Sequence, residues 1–348
     1  MTRRTFSAAA AGAAALSAAG GRIRVAMIGT GHGHAFSKIK ALRSMPEYDL
    51  AGVHRPDSRD EPKDGDPLRG VRWLSLDEII GDSSVELVAI ESADVDQNLV
   101  FAEKCVRAGK FVHFDKPPGA DLERLRRLLA DAAGRKRVVQ MGYQWRYHPA
   151  MQMAIEAARK GWLGQVYRFR ASIDKLILPD ERRHLAKFRG GTMFSEGCHL
   201  IDRAVDLLGK PKRAAGFLRH DSTLPDTLAD NNVALLEYDG ALAEISMASF
   251  HPHGARYRFL EILGTNGSAR MQPYTFPSQL SVDLGEARGP YKAGGQKIEV
   301  PAPSGLTYTH DFAEMAGVIR RGEKPNWSPE HDLMTHETLL RICGMLGS

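Results

Sequence analysis

Cysteine is scarce in this chain: three among 348 residues, Cys105, Cys198 and Cys343. They form no C-x-x-C pair and no Cys/His zinc spacing, so they are expected as small buried hydrophobes. Runs of lysine and arginine interleaved with aromatics are also missing, and the net charge is only +5. Nucleic acid is therefore not an expected partner. Beyond residue 20 no stretch reaches about 18 consecutive apolar residues, which leaves nothing to span a membrane. No internal repeat is present, and low complexity is confined to the first twenty residues.

What is present is the composition of a soluble globular protein, 43% hydrophobic and 26% charged, long enough for one large or two ordinary domains. The first twenty residues differ. They carry Arg3 and Arg4, then Phe6, then an alanine-rich run without an acid, which is the layout of a secretory signal. Thr2-Arg3-Arg4-Thr5-Phe6 resembles the twin-arginine export motif, and Ser17-Ala18-Ala19 offers a cleavage site. Residues 1–20 are read as this signal and the protein as exported or periplasmic, or cytoplasmic where the signal is not used.

From Arg22 the pattern alternates. Short apolar runs ("IRVAMIG", "YDLAGVH", "VELVAIES", "KFVHF", "RVVQMGY") are separated by helical stretches such as "DLERLRRLLADAAGRK". Strands alternating with helices imply βαβ units and a parallel sheet covered on both faces. After about Pro149 the texture changes. Long alternating strands turn at Asp239-Gly240 and Asn266-Gly267, the strongest short-range hairpin signals, so a mostly antiparallel sheet with flanking helices is expected. "MFSEGCHLIDRAVDLLGK" reads as a helix ended by Gly209, and Ser328-Pro329 as the start of a final helix.

The first strand runs into Gly29, Gly31 and Gly33, where a tight turn brings backbone N–H groups and a helix N-terminus toward a pyrophosphate. His32 and His34 lie between and after these glycines; His34 occupies the place where the strict G-x-G-x-x-G spacing has glycine or alanine. Strand two ends in Arg55, where an acid usually holds the ribose; arginine suits a 2′-phosphate and tilts the reading toward NADP, while Asp57 keeps NAD open.

Lys116 stands at the carboxyl end of a parallel strand, where open α/β sheets bind ligands, and Pro117 and Pro118 fix its backbone, one of them a candidate for a cis bond. A lysine held there can hydrogen-bond a substrate hydroxyl. In "FRGGTMFSEGCHLID", Ser195 and Glu196 are four and three residues from His199, so one helix face would carry all three. Imidazole titrates near neutrality, which makes His199 the candidate general acid or base. The Glu196/His199 pair lacks a third ligand, so no metal is expected there.

Together the glycine loop, "DKPPG", "GYQWRYHPA" and "GGTMFSEGCHLID" resemble the glucose–fructose oxidoreductase, inositol dehydrogenase and MocA (Gfo/Idh/MocA) family over nearly all of residues 22–346. The resemblance implies a Rossmann domain over 21–147 and an α+β domain over 148–348 with an open, mostly antiparallel sheet, its C-terminal helices packing back toward the Rossmann domain. It also implies dimers or tetramers through that sheet, and hydride transfer between NAD or NADP and a sugar or polyol hydroxyl carbon. Asp115-Lys116-Pro117 stands for the family's Glu-Lys-Pro, whose lysine contacts the substrate hydroxyl and the nicotinamide ribose. Gly29 to His34, Arg55, Ser92, Asp115 and Tyr143 would then hold the cofactor, and Lys116, Arg146, His148 and His199 the substrate. Two positions depart from the family: Ser195 replaces the Asp that usually precedes the histidine by four, and Gln97 replaces a frequent histidine. Two other functions stay open at this point, an NAD-dependent glycosidase working through transient C3 oxidation and a non-catalytic, cofactor-bound sugar-binding protein.

Overall fold

A computed structural model describes residues 21–56 and 67–347; the leader and Asp57 lie outside them. The chain divides into two compact units, one reaching to Gly142 with Gly305–Asn326 added, the other Tyr143–Ser304 with the last stretch from Trp327. The dividing point is Gly142 rather than Tyr147, and the two C-terminal helices part company: Thr309–Arg321 belongs to the first unit and Pro329–Ile342 to the second.

The first unit is a five-stranded parallel sheet in the order β2-β1-β3-β4-β5. Its strands are β1 (Ile23–Ile28), β2 (Tyr48–His54), β3 (Leu87–Ile90), β4 (Phe111–Phe114) and β5 (Val139–Met141). All four residues of β3 and five of six in β1 are buried, as parallel strands covered on both faces must be. The helices are α1 (Ala35–Ser44), α2 (Leu76–Gly81), α3 (Val95–Arg107) and α4 (Leu122–Gly134). Ser75 and Glu78 close a reciprocal capping box at α2, satisfying two end N–H groups locally. In α4, Leu122, Leu125, Leu129 and Ala132 recur at helical spacing and form the buried stripe, while Asp121 caps the first turn. The core runs from Ile23, Val25 and Met27 through Ile39 and Leu42 to Tyr308, Phe312 and Met315. The helix Thr309–Arg321 therefore completes this unit's core although it is remote in sequence.

The second unit carries an eight-stranded sheet, β13-β12-β11-β10-β6-β9-β8-β7. Its members are β6 (Val166–Ser172), β7 (Arg213–Arg219), β8 (Asn231–Glu237), β9 (Leu242–Ala248), β10 (Phe259–Gly264), β11 (Gly267–Met271), β12 (Ser278–Leu284) and β13 (Gly294–Val300). Every pairing is antiparallel except β6 with β9. Helices α5 (Pro149–Arg159) and α7 (Cys198–Leu208) pack on one face, with α6 (Pro179–Leu185) in the β6–α7 connection. Alternation shows on β8, where Asn232, Ala234 and Leu236 are buried while Asn231, Leu235 and Glu237 are exposed. The two expected hairpins form, β8–β9 and β10–β11. The expected single helix over "MFSEGCHLIDRAVDLLGK" is instead a π-helical turn, Met193–Gly197, leading into α7. All three cysteines are free and buried.

Candidate active site

Gly29 leaves β1 with φ +83°, and a Cβ there would lie 2.4 Å from the Ser92 nitrogen. Only glycine lets the β1 turn press against Ser92 at the β3 end. Ser92 is itself fixed, its hydroxyl donating to Asn98 Oδ1 at 2.7 Å. Gly31 and Gly33 are exposed, and α1 begins at His34 without a side-chain cap or an acid in its first turn. A helix N-terminus of this kind favours an anion. Arg55 Nε donates to Thr30 Oγ1 at 3.0 Å and its guanidinium lies 5.3 Å from the Trp73 ring, which ties the end of β2 to the glycine loop.

Behind the loop sits a buried charge cluster. Lys38, wholly buried on α1, donates to Glu91 Oε1 at 2.6 Å and to Asp115 Oδ2 at 2.7 Å. The Nδ1 atoms of His32 and His34 approach the same Asp115 Oδ2 at 3.1 and 3.0 Å. Asp115 Oδ1 accepts from the Lys116 backbone N–H at 2.6 Å. Burial raises the Asp115 carboxyl, but His32, Lys38 and His34 outweigh it and hold Asp115 well below the usual range. Burial and the neighbouring Asp115 push Glu91 well above its range, so Glu91 keeps the proton of this pair. Burial lowers His34 to about 4. Lys116 is buried and follows β4 directly, with a cis bond to Pro117. On the strand beside it, His113 is lowered to about 3 by burial and pairs through Nδ1 with Gln140 Oε1 at 2.9 Å.

In the second unit His199 lies near the start of α7, stacked on Trp145 with centroids 5.6 Å apart and edge-on to Tyr143 at 5.9 Å. Tyr143, assigned above to the cofactor, is buried beneath that imidazole. The π turn alters the relation of Ser195 and Glu196 to His199, because it adds a residue to the turn that α-helical spacing assumes. Glu196 takes the Lys175 ammonium at 3.0 Å, and Cys198 Sγ donates to the Ser195 carbonyl at 3.4 Å.

Arg146 and His148, expected at the substrate, are engaged inside the second unit. Arg146 is 2% exposed, and its guanidinium is engaged by Asp202 (2.7 Å) and Asp332 between the Tyr143 and Trp327 rings. His148 is 4% exposed, bonded through Nε2 to the Tyr274 carbonyl at 2.8 Å and stacked on Phe276; burial lowers it to about 4. Both side chains hold the second unit together. Gln97 lies in the first turn of α3, its backbone N–H donating to Asp94. Sequence reasoning missed Lys38, Glu91, Trp145 and Asp332. The available signals were a lysine on the apolar face of α1 and an acid ending the apolar run of β3.

Residues 23–143 match the family model described as "Oxidoreductase family, NAD-binding Rossmann fold", and residues 151–270 match "GFO/IDH/MocA C-terminal domain". An uncharacterized oxidoreductase of Schizosaccharomyces pombe is 27% identical over 209 residues, 58% of this chain and 56% of that protein, so the chain spans about half the length of this relative. The dTDP-3,4-didehydro-2,6-dideoxy-alpha-D-glucose 3-reductase of Actinomadura kijaniata is 25% identical over 244 residues, 68% of this chain and 71% of that protein. The fold matches that of GenD2 from gentamicin A biosynthesis, solved with NAD, at a TM-score of 0.76 and 22% identity, covering 98% and 95% of the two chains.

Proposed function

Because the chain belongs to the Gfo/Idh/MocA family of NAD(P)-binding oxidoreductases, we propose that it oxidises or reduces a hydroxyl-bearing carbon of a sugar, polyol or derivative. NAD or NADP, when bound, supplies the hydride carrier. Gly29, Gly31, Gly33 and the first turn of α1 receive its pyrophosphate, and Arg55 favours a 2′-phosphate. Lys116 hydrogen-bonds the reacting hydroxyl.

The observation that carries this reading is a glycine turn closed on Ser92 in the same unit as a lysine fixed at the carboxyl end of β4. The sugar-nucleotide reductase of A. kijaniata supports the substrate class. The twin-arginine-like leader supports export. Exposed Phe217, Leu235 and Leu242 on the second sheet support self-association there. No helix among the described residues is long and apolar enough to cross a membrane.

The test is mass identification of nucleotide released from the purified protein on denaturation, followed by turnover across a sugar and polyol panel. The expected result is NAD or NADP near one per chain, and loss of turnover in Lys116→Ala with nucleotide retained. A fully active Lys116→Ala protein refutes the role of the lysine. Absence of nucleotide, with no stabilisation by added NAD(P)H, refutes the reading of the loop.

A further inference from the structure

In the second unit, the segment after β6 and the segment after β9 enclose a pocket of 340 Å³. Its polar lining is Lys175, His253, Arg256 and Arg258, and no acid lines it. The walls are fixed from both sides. Gly254 is buried at the start of the turn Gly254–Tyr257, and a Cβ there would lie 2.6 Å from the Asp174 carbonyl carbon and 2.7 Å from the Lys175 nitrogen. A larger residue would push the turn off the end of β6 and open the pocket. Arg258 Nε donates to the Asp174 carbonyl at 3.0 Å, and the His251 ring stacks on Tyr257 with centroids 4.9 Å apart.

The charges of this pocket are not balanced by the chain. Lys175 is held between Glu181 at 3.1 Å and Glu196 at 3.0 Å, so its ammonium is compensated. The Asp174 carboxylate is turned to the Ser172 hydroxyl, the Ala248 N–H and the His251 ring. Arg256 has no side-chain hydrogen bond or ion pair among the described residues, and Arg258 has only its bond to the Asp174 carbonyl. The buried arginines of the same unit differ: Arg146 is closed by Asp202 and Asp332, and Arg182 by Asp226 and Asp230. Two guanidiniums beside one cavity repel each other, and their planar forks match a carboxylate or a phosphate. Leu176, 51% exposed, adds an apolar wall. Small-molecule sites combine such walls with a few convergent polar groups.

We propose that this pocket binds an anionic group, carboxylate or phosphate, carried by the substrate, so that the protein acts on an acidic sugar rather than a neutral sugar or polyol. The sugar part of this assignment rests on the oxidoreductase reading above; the anion site does not. Arg256 and Arg258 select the ligand, and Lys175 ties the pocket through Glu196 to the π turn that leads into α7.

The test is calorimetric titration of the full chain, with and without added NAD, using D-glucuronate, D-galacturonate, D-glucose 6-phosphate and neutral D-glucose. The expected result is one acidic sugar bound per chain, at least about tenfold tighter than glucose and more weakly as salt is raised. Uronates binding better than the phosphate ester, or the reverse, identifies the anion. Arg256→Ala and Arg258→Met are each expected to weaken the acidic ligand at least about tenfold, as loss of a charge-assisted hydrogen bond does, and to leave glucose unaffected. Arg256→Ala removes no side-chain bond among the described residues, so it carries the test if Arg258→Met disturbs the turn. Arg213→Ala, exposed on β7, should bind as the parent does. Glucose binding as tightly as the acids, no binding of any acid, or acid binding unchanged in both pocket variants overturns the proposal. An acid bound by a chain that holds no nucleotide leaves the pocket standing and removes the oxidoreductase reading; neutral sugars turned over with no acid bound do the opposite.

Discussion

Replacing Arg146 by methionine separates a structural guanidinium from a substrate-binding one. The side chain makes four hydrogen bonds, three to Asp202 and one to Asp332. Asp202 keeps other partners when Arg146 is lost, Arg203 at 2.6 Å and the His331 ring at 2.9 Å. The Asp332 carboxylate has no other side-chain hydrogen bond or ion pair among the described residues and is 4% exposed. Removing one member of a buried pair leaves an uncompensated charge and is destabilising by about 3–5 kcal/mol. Arg146→Met is expected to lose that much in urea unfolding followed by circular dichroism and by the fluorescence of Trp327, whose ring lies 4.8 Å from the guanidinium. Adding Asp332→Asn removes the orphaned charge, so the double variant should recover to within about 1–2 kcal/mol of the parent, the remainder being the lost bonds to Asp202. A single variant destabilised by less than about 1 kcal/mol, or one whose only defect is a raised KM, would refute the reasoning and return Arg146 to the substrate.

Two further outcomes follow from the same structure. Gly29→Ala combines a positive φ with a Cβ 2.4 Å from the Ser92 nitrogen; it should destabilise the first unit by more than about 2 kcal/mol and abolish nucleotide binding, measured by thermal shift with and without NAD. Stability should fall as pH drops from 6.5 toward 4, because His148 is lowered to about 4 in the folded chain while its unfolded counterpart takes a proton near 6.5. The folded state then binds fewer protons, and His148 alone contributes a loss of about 3 kcal/mol across that range. His148→Phe should flatten the urea midpoint against pH; an unchanged slope would show that His148 does not titrate in this way.

Strand content was legible where side chains repeat with a fixed period. The all-apolar β1 and β3, the Asp239-Gly240 and Asn266-Gly267 turns and the Ser75 and Ser328 caps are local signals, and all of them form. Strand β12 was missed although Leu280, Val282 and Leu284 alternate with polar residues, because no turn dipeptide marks its ends. The π turn before His199 was invisible to helical spacing, since a single wide turn leaves no period in the sequence.

The sequence by itself determined the alternation of strands and helices in the first unit, the glycine turn and the lysine after β4, because each depends on residues adjacent in the chain or on one repeating period. Only the tertiary structure decided which charged side chains are buried together. Lys38, Glu91 and Asp115 are separated by 53 and 77 residues, and Arg146 and Asp332 by 186, yet each set shares a few ångströms of dry interior. There an ionised group must find its counter-charge within hydrogen-bond reach. That requirement fixes whether an arginine or a histidine faces a ligand or the core, and one-dimensional spacing carries no record of it.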